Sequence, residues 1–355
     1  MKNTSPNDIY SQFSQALWFP GTPENRYIFD FRNNVLEILE SDGVLSEDAF
    51  ESVGNTITQD EDSVSLYLIG KSLVDQHFRV VDKSNNLFKN TTLTQYNLVF
   101  SKEINQTTEY LDGYYVSYNA LNFFRVSQNQ EFTEVIQQDV IDLPHRISQD
   151  SPLSVIAHEK LDKKWIFYTA YGQFNLNLHI AECNGSNIKP ITSVPLPNEF
   201  DQGQISIEVS ATHIAILKKG YGILYGDVRY SDTYVDLEFR ALKQDVSVEL
   251  SKCAISLDDQ FLVYISTEGS SDYINWLNLT TEQLSTQKLL GRYSSLKTSP
   301  IANIYGLSPQ QAEGALITLL ELEPEPDGST FIVNETYSPV SGGFFPNCEF
   351  KVIAG

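Results

Sequence analysis

Short runs of hydrophobic residues, each bounded by turn-forming residues, follow one another along most of the sequence. Some alternate between apolar and polar positions, and others, such as WIFYTA at 165–170 and FLVYIS at 261–266, are almost continuously apolar. Val, Ile, Phe and Tyr are common in these runs, and such side chains favour the pleated, half-buried surface of a β-sheet. No segment keeps an apolar period of 3.6 residues for three turns, as an amphipathic helix would. The pattern predicts an all-β protein.

Three segments of the chain align with one another, and each is predicted to form four strands. They run over 153–194, 204–244 and 250–290. Trp165, His213 and Gln260 open the second strand of successive segments, 47–48 residues apart, close to the period of about 40–50 residues of propeller blades. A continuous apolar second strand suits a blade because both of its faces pack against neighbouring blades. The repeat predicts a β-propeller of about seven four-stranded blades, in a single domain spanning 1–355.

The remainder of the chain follows the same period less cleanly. Further blades are predicted from the strands within 27–39, 63–95, 97–138 and 297–355. An open ring would expose sheet edges, so a terminal strand is expected to pair across the closure. The candidates are ALWF at 16–19 and FKVIAG at 350–355. Two stacked β-sandwiches are the alternative architecture, which accounts for the strands but not for the recurrence.

Two resemblances support the propeller. ISLDDQFLVYIS, at 255–266, resembles the S-P-D-G-x-x-L-V-Y-x-S element of WD-like repeat blades, with Leu257 and Asp259 in place of Pro and Gly. More loosely, the order of this segment after ALWFPGTPENRYIFDF (16–31) and HEKLDKKWIFYTAYG (158–172) is similar to propeller domains of Bacteroidetes-type surface proteins. The second resemblance implies a binding or scaffold propeller on a secreted protein or an exposed assembly.

The charge balance excludes two classes of partner. The formal net charge is −22, and no stripe of Lys and Arg offsets it, so nucleic-acid binding is not expected. Binding to an anionic membrane surface is disfavoured for the same reason. The N-terminal segment lacks the apolar stretch of a signal peptide, and no apolar run approaches the roughly 20 residues of a membrane span. The sequence predicts a chain that is cytoplasmic at synthesis and reaches the exterior, if at all, within a virion or other exported assembly.

Metal and cofactor sites are not predicted. The three cysteines, Cys183, Cys253 and Cys348, are too few and too far apart for a disulfide framework or a zinc site. No two of the five histidines have the spacing of metal ligands, and His158-Glu159 lacks the second histidine of HExxH. No P-loop, dinucleotide-binding or nucleophile-elbow motif occurs.

Carboxylates support one enzymatic alternative. Propeller glycosidases place Asp and Glu around the axial channel, where a pair acts as acid and as nucleophile or base. The candidates here are Asp258 and Asp259 in a blade turn and the acidic segment 60–62. Carboxylates in such turns are usually solvated turn-formers. A glycoside hydrolase therefore stays an alternative with no assigned catalytic residue.

Aromatic clusters offer the candidate binding residues. The segment YLDGYYVSYNALNFF at 110–124 forms either two core-facing strands or a platform for a sugar or a peptide, and a second aromatic loop lies at 342–348. The candidate residues are Tyr110, Tyr114, Tyr115, Tyr118, Phe344 and Phe345.

These observations favour a non-enzymatic scaffold or interaction propeller with protein partners, as a structural component of a larger extracellular or virion or tail assembly. The alternatives are a carbohydrate-binding propeller at a cell surface and a propeller glycoside hydrolase. The fold by itself does not decide among them, because propellers serve both catalysis and scaffolding.

Overall fold

The part of the chain that the structure describes is almost wholly β. The computed structural model describes residues 10–13, 17–18, 27–31, 33, 35–40, 55–58, 64–69, 72–75, 79–84, 87–88, 98–102, 110–128, 133–148, 151–173, 175–201, 204–218, 220–243, 248–299, 301–308, 319–338 and 351–354. These residues contain 28 strands and a single turn of 3-10 helix, Asn198–Phe200. No helix in these ranges is long and apolar enough to cross a membrane.

Five groups of four consecutive strands form antiparallel meanders. They are β8 (Leu98–Lys102), β9 (Tyr110–Ser117), β10 (Ala120–Gln128) and β11 (Thr133–Ile141); β12 (Leu153–His158), β13 (Lys163–Tyr171), β14 (Leu176–Asn184) and β15 (Asn187–Pro195); β16 (Ile205–Val209), β17 (His213–Lys218), β18 (Gly222–Tyr230) and β19 (Val235–Lys243); β20 (Val248–Ile255), β21 (Phe261–Glu268), β22 (Ser271–Asn278) and β23 (Leu284–Lys288); and β24 (Ser295–Thr298), β25 (Ile304–Leu307), β26 (Leu319–Pro324) and β27 (Phe331–Thr336). The second, third and fourth groups coincide within two residues with the predicted repeats.

Two sheets nearer the N-terminus contain three described strands each. They are β2 (Leu17–Trp18), β3 (Tyr27–Asp30) and β4 (Glu37–Glu40), and β5 (Asn55–Thr58), β6 (Val64–Ile69) and β7 (Ser72–Asp75). The predicted unit at 63–95 was displaced, since its sheet begins at Asn55 and its third strand ends at Asp75. The first of its strands, NTIT, is too short and polar to stand out in the sequence.

The seven sheets described lie around a common centre in chain order. The first strand of each sheet contacts the first strand of the next, from β2 and β5 through to β20 and β24. The last sheet then packs against the first, where Phe29 and Phe31 share an apolar cluster with Tyr305, Leu307 and Leu319. A ring of antiparallel meanders around inner strands is a β-propeller. The count of about seven blades applies to the whole chain and stays a prediction.

Within the described residues, neither candidate terminal strand pairs across the closure of the ring, contrary to the prediction. Strand β28 (Lys351–Ile353) pairs in parallel with β12, and β1 (Tyr10–Phe13) pairs with β28. Because β12 is the innermost strand of its sheet, these terminal strands lie inside the ring. Leu17 and Trp18 of the other candidate segment pair instead with β3, in their own sheet. Side-chain packing between the last and first sheets closes the ring.

Alternate side chains of the inner strands pack in opposite directions around the ring. On β13, Trp165 and Phe167 join the cluster formed with β16–β19, whereas Ile166 and Tyr168 join the cluster formed with β8–β11. Both faces of the strand are therefore buried. This explains the continuous apolar run, as predicted for a blade.

Candidate functional site

The structure places two of the candidate tyrosines in the core rather than on a binding surface. Tyr114 is fully buried and Tyr115 is 8% exposed. Each phenol satisfies its hydroxyl internally, since Tyr114 donates to the carbonyl of Gly185 and Tyr115 to that of Leu87, both at 2.9 Å. Their rings thus contribute to packing between sheets and are not available to a ligand.

The other two candidate tyrosines do not form a platform together. Tyr118 is 72% exposed and Tyr110 is 40% exposed, but they lie at opposite ends of β9. Eight residues of strand separate them by about 27 Å at 3.4 Å per residue. Phe344 and Phe345 lie outside the described residues.

Two histidines stack beside a buried tyrosine in the layer between β8–β11 and β12–β15. The ring centroids of His145 and His179 are 3.9 Å apart, and His145 Nε2 lies 2.9 Å from the hydroxyl oxygen of Tyr168. Burial, with a smaller contribution from His145, lowers the pKa of His179 to about 4. The imidazole of His179 is therefore neutral at pH 7, and it packs against its neighbours as an uncharged ring.

The stability of the protein is expected to fall on mild acidification because of His179. The unfolded chain takes up this proton near pH 6.5, while the folded protein takes it up only near pH 4. The stabilisation is complete above about pH 6.5 and is lost as the pH falls toward 4. By pH 5 the loss amounts to about 2 kcal/mol. Urea unfolding at pH 7 and pH 5 measures it. His179→Phe should lose less stability over this interval than the wild type, and an equal loss in both would contradict the assignment.

Asp259 of the acidic turn links two sheets by hydrogen bonds. Its Oδ2 accepts hydrogen bonds from the backbone N–H and from Oγ1 of Thr212, at 2.7 Å each. Burial alone would raise its pKa, but hydrogen bonds from His213, Ser210 and Thr212 outweigh burial and hold the pKa of Asp259 below its usual value. The carboxylate joins the turn after β20 to the turn after β16. The acidic segment 60–62 lies outside the described residues.

Asp259→Asn is expected to lower the free energy of unfolding by about 2–3 kcal/mol, because hydrogen bonds to a charged group contribute about 1.5–3 kcal/mol each. Asn tolerates the left-handed backbone at this position, where φ is 62°, so the turn itself is preserved. Urea unfolding at pH 7 gives the change. Asp236→Asn, at an exposed position, serves as the control. Equal effects of the two substitutions would show that Asp259 does not link the two sheets.

A cleft lies on the face of the ring where the first and third strands of each meander end; we call this the cleft face. Two adjoining cavities, of about 340 and 420 Å³, share Thr212, Val228 and Arg229 in their walls. The smaller cavity extends toward the turn after β22, at Leu279 and Thr280. The larger extends toward the centre of the ring, where its walls are the end of β12 and the end of β28. Its other lining residues are His158, Ala211, Tyr230, Ile353 and Ala354.

The acidic side chain of the cleft is neutralised within the protein. Asp227 accepts a 2.5 Å hydrogen bond from Arg240, and this bond raises the pKa of the guanidinium. Arg240 also donates to the carbonyl of Leu279 at 3.1 Å, which fixes its position against the neighbouring sheet. His213 Nε2 lies 3.5 Å from Asp227 on the other side. Arg229 projects from the same strand and is largely exposed.

Thr212, His213 and Asp227 are the residue types of a catalytic triad: a hydroxyl nucleophile, a histidine base and an aspartate. Their hydrogen bonds differ from those of a triad. Thr212 Oγ1 lies 2.9 Å from His213 Nδ1, yet it donates its proton to Asp259 at 2.7 Å. A carboxylate with a lowered pKa is a weak base and does not activate a hydroxyl. The group therefore holds the cleft wall in place. Within the described ranges, no three His, Cys, Asp or Glu side chains are grouped so as to hold a metal ion.

Sequence reasoning missed the cleft because its residues come from three sheets. Arg229 and Arg240 lie on neighbouring strands of one sheet, while His158 and Thr280 belong to the sheets on either side. A signal for the cleft was present in the sequence: Arg229 lies at the end of a predicted third strand. A basic residue there is notable because the chain has only 24 Lys and Arg residues.

The structure is similar to solved propellers. It matches the β-propeller domain of Cps50 (Swd1) from Myceliophteria thermophila over 83% of this chain and 93% of the other, with a TM-score of 0.51 and 10% identity. It also matches a candidate 6-phosphogluconolactonase from Bacteroides fragilis over 99% of this chain and 100% of the other, with a TM-score of 0.50 and 10% identity. No protein-family model and no curated protein matches the sequence. The protein is a β-propeller, and the predicted fold is confirmed; at this identity the similarity carries no function.

Proposed function

We propose that the protein is a non-enzymatic interaction propeller, a scaffold in a larger assembly, that binds a partner protein across the cleft face. The observation that carries the proposal is the cleft itself. Its walls are turns and strand ends of three neighbouring sheets, together with the terminal strand β28. Turns held by a rigid scaffold are the usual location of binding residues.

The occupied centre of the ring argues against the hydrolase alternative. Strands β1 and β28 lie where an axial substrate would sit, and Lys351 of β28 donates to the carbonyl of Val209 on β16. On that inner strand, Glu208 is paired with Lys297 at 3.3 Å. A carboxylate held in an ion pair with lysine does not provide the acid of a glycosidase pair, whose pKa must be raised.

The carbohydrate alternative has lost its main support, since the four tyrosines at 110–118 do not form one surface. A partner protein remains the better match to a cleft whose exposed groups are charged side chains and threonine hydroxyls above an apolar floor. Interfaces of this kind combine an apolar centre with a polar rim.

Matched charge reversals on the two faces test the proposal. Arg229→Glu alters the cleft face, and Arg146→Glu makes the same change at an exposed residue on the opposite face, in the loop after β11. We expect wild type and Arg146→Glu to capture the same proteins from an extract of the native source. Arg229→Glu should lose them while its thermal unfolding is unchanged. Capture that is indifferent to Arg229→Glu, or lost equally in both variants, would refute the cleft as the binding site.

A further inference from the structure

We propose that two copies of this chain pair edge to edge through β23, so that the β20–β23 sheets of the two copies join into one continuous sheet. The contact lies on the outer circumference of the ring rather than in the cleft, and it goes beyond the proposed function. It follows from the hydrogen-bonding pattern of this outer strand and from its contrast with the other outer strands.

Strand β23 is an accessible sheet edge. It is the last strand of its sheet, and among the described strands it pairs with β22 alone. All five of its residues are exposed. In the other four meanders the fourth strand contains buried or half-buried residues. A second strand can therefore approach β23 along its whole length.

Half of the backbone groups of β23 are directed away from its sheet. The N–H of Leu289 donates to the carbonyl of Asp272, and the N–H of Asn278 donates to the carbonyl of Gln283, both at 2.9 Å. Positions along an antiparallel pair alternate between hydrogen-bonded and non-hydrogen-bonded. The odd-numbered positions of this segment therefore bond to β22, and the even-numbered positions leave their N–H and C=O groups at the open edge.

The even-numbered residues of β23, Leu284, Thr286 and Lys288, form a self-complementary set. A two-fold axis at Thr286 places this residue opposite Thr286 of the second copy. The same axis places Leu284 of each copy opposite Lys288 of the other. Every outward N–H then meets an outward C=O. Such a contact uses the same surface on both copies and closes after two of them.

The side chains beside the edge fit the same arrangement. Leu284 is 40% exposed, and Leu290, just beyond the other end of β23, is 83% exposed. Antiparallel pairing brings Leu284 of each copy to the end at which Leu290 of the other lies, beside the aliphatic stem of Lys288. The two Lys288 residues lie at opposite ends of the pair, about 14 Å apart along the strand. This separation exceeds the screening length at physiological salt.

The composition of the outer strands selects β23 for pairing between copies. The chain carries a net charge of −22, so contact between two acidic strands is unfavourable. Acidic residues and proline also protect a sheet edge from pairing. The other outer strands of the four-stranded sheets carry such residues: Glu134 and Asp139 on β11, Pro190 and Pro195 on β15, Asp236 and Glu238 on β19, and Glu335 on β27. Strand β23 carries none, and its pairing with β22 has no register shift.

The pairing also sets the orientation of the two rings. Because the two β23 strands run antiparallel, the strands of one ring point opposite to those of the other. The cleft faces therefore point to opposite sides of the dimer, which gives the proposed scaffold one binding face on each side.

Sedimentation velocity of the purified full chain tests the pairing without any partner protein, so its result is independent of the cleft. An edge contact of this length is smaller than a standard interface, and we expect a dissociation constant of about 1–100 µM. The mean mass should rise from that of one chain toward that of two between about 1 and 300 µM. A chain that stays monomeric over this range would overturn the proposal.

Substitutions at Thr286 test whether the backbone makes the contact. Thr286→Pro removes the outward N–H at the two-fold axis, which makes no hydrogen bond within its own sheet, and proline is tolerated at such edge positions. We expect association to weaken at least tenfold. Thr286→Ala is the matched control, because it also loses the hydroxyl that donates to Asn275 at 2.9 Å but keeps the N–H. It should associate as wild type does, and an equal loss in both variants would contradict pairing through the backbone.

A charge substitution tests the same contact without a change in the backbone. Leu284→Lys places a second ammonium group opposite Lys288 of the other copy, at both ends of the pair, and we expect association to weaken about tenfold. Ile332→Lys on β27 is the matched control, since Ile332 is 43% exposed, and it should stay within about twofold of wild type. Thermal unfolding of both variants should match that of wild type. Association that survives Leu284→Lys, or that falls equally in Ile332→Lys, would refute pairing through β23.

Discussion

Asp112→Ala should lower the free energy of unfolding by about 3–5 kcal/mol, because removal of one partner leaves buried charge without compensation. Asp112 is 3% exposed and accepts two hydrogen bonds from Arg125, at 2.6 and 2.9 Å. Lys164, of which 7% is exposed, places its ammonium 4.0 Å from the same carboxylate. The carboxylate thus joins a cation of its own sheet to one of the next sheet.

The loss is large because the remaining partners of Lys164 are neutral. They are Ser101 Oγ at 3.2 Å and the carbonyl of Lys102 at 3.4 Å. Urea unfolding at pH 7 measures the effect, with the exposed Asp142→Ala as the control, expected within about 0.5 kcal/mol of wild type. Addition of Lys164→Met to Asp112→Ala should restore part of the stability, since it removes the buried ammonium that has lost its counter-charge. A loss below about 1 kcal/mol in Asp112→Ala would show that the cluster is hydrated.

Trp165→Ala is expected to cost about 3–5 kcal/mol, the usual range for removal of a large aromatic side chain from a core. Trp165 is fully buried between β12–β15 and β16–β19. Its ring centroid lies 4.8 Å from that of Tyr230, and Tyr230 lines the larger cavity of the cleft. The substitution should therefore weaken capture of a partner protein through the cleft as well as lower stability.

Two measurements separate these effects. The free energy of unfolding comes from urea titration, and capture of partner proteins is compared with that by wild type at a temperature at which the variant is still folded. Tyr234→Ala, at an exposed position in the turn next to the cleft, is expected to leave the stability nearly unchanged. A Trp165→Ala protein with full stability would mean that the surrounding side chains collapse into the space. A destabilised variant that still captures the partner proteins fully would show that the position of Tyr230 does not depend on Trp165.

The repeats from 153 to 290 could be placed from the sequence because each second strand is buried on both faces, which leaves a continuous apolar run at a fixed spacing. The sheet at 55–75 was displaced because its first strand is polar and carries no such run. The position of β28 was not predictable from pattern alone. A three-residue strand has no period, and its partner β12 lies far away in the sequence.

The candidate site was harder to predict for a related reason. The sequence identified Tyr114 and Tyr118 as equivalent aromatics, but β9 is buried from Leu111 to Val116 and ends at Ser117, which places Tyr114 in the core and Tyr118 in the turn. Asp259 was correctly assigned to a turn between two strands. Its contact with Thr212, 47 residues away, depends on the stacking of neighbouring sheets. The repeat period predicts that stacking in outline, while the partner atoms emerge only from the structure.

The pairing of β28 with β12 also has a consequence for synthesis of the chain. Ile156 on β12 is opposite Lys351 on β28, so the inner edge of that sheet has no partner until residues 351–353 have left the ribosome. During this interval the backbone N–H and C=O groups of β12 face an incomplete ring. Contacts between residues so far apart in sequence form slowly, and an unpaired strand edge invites pairing with another chain. The nascent protein is therefore most open to misassembly after its middle sheets have folded and before β28 is made.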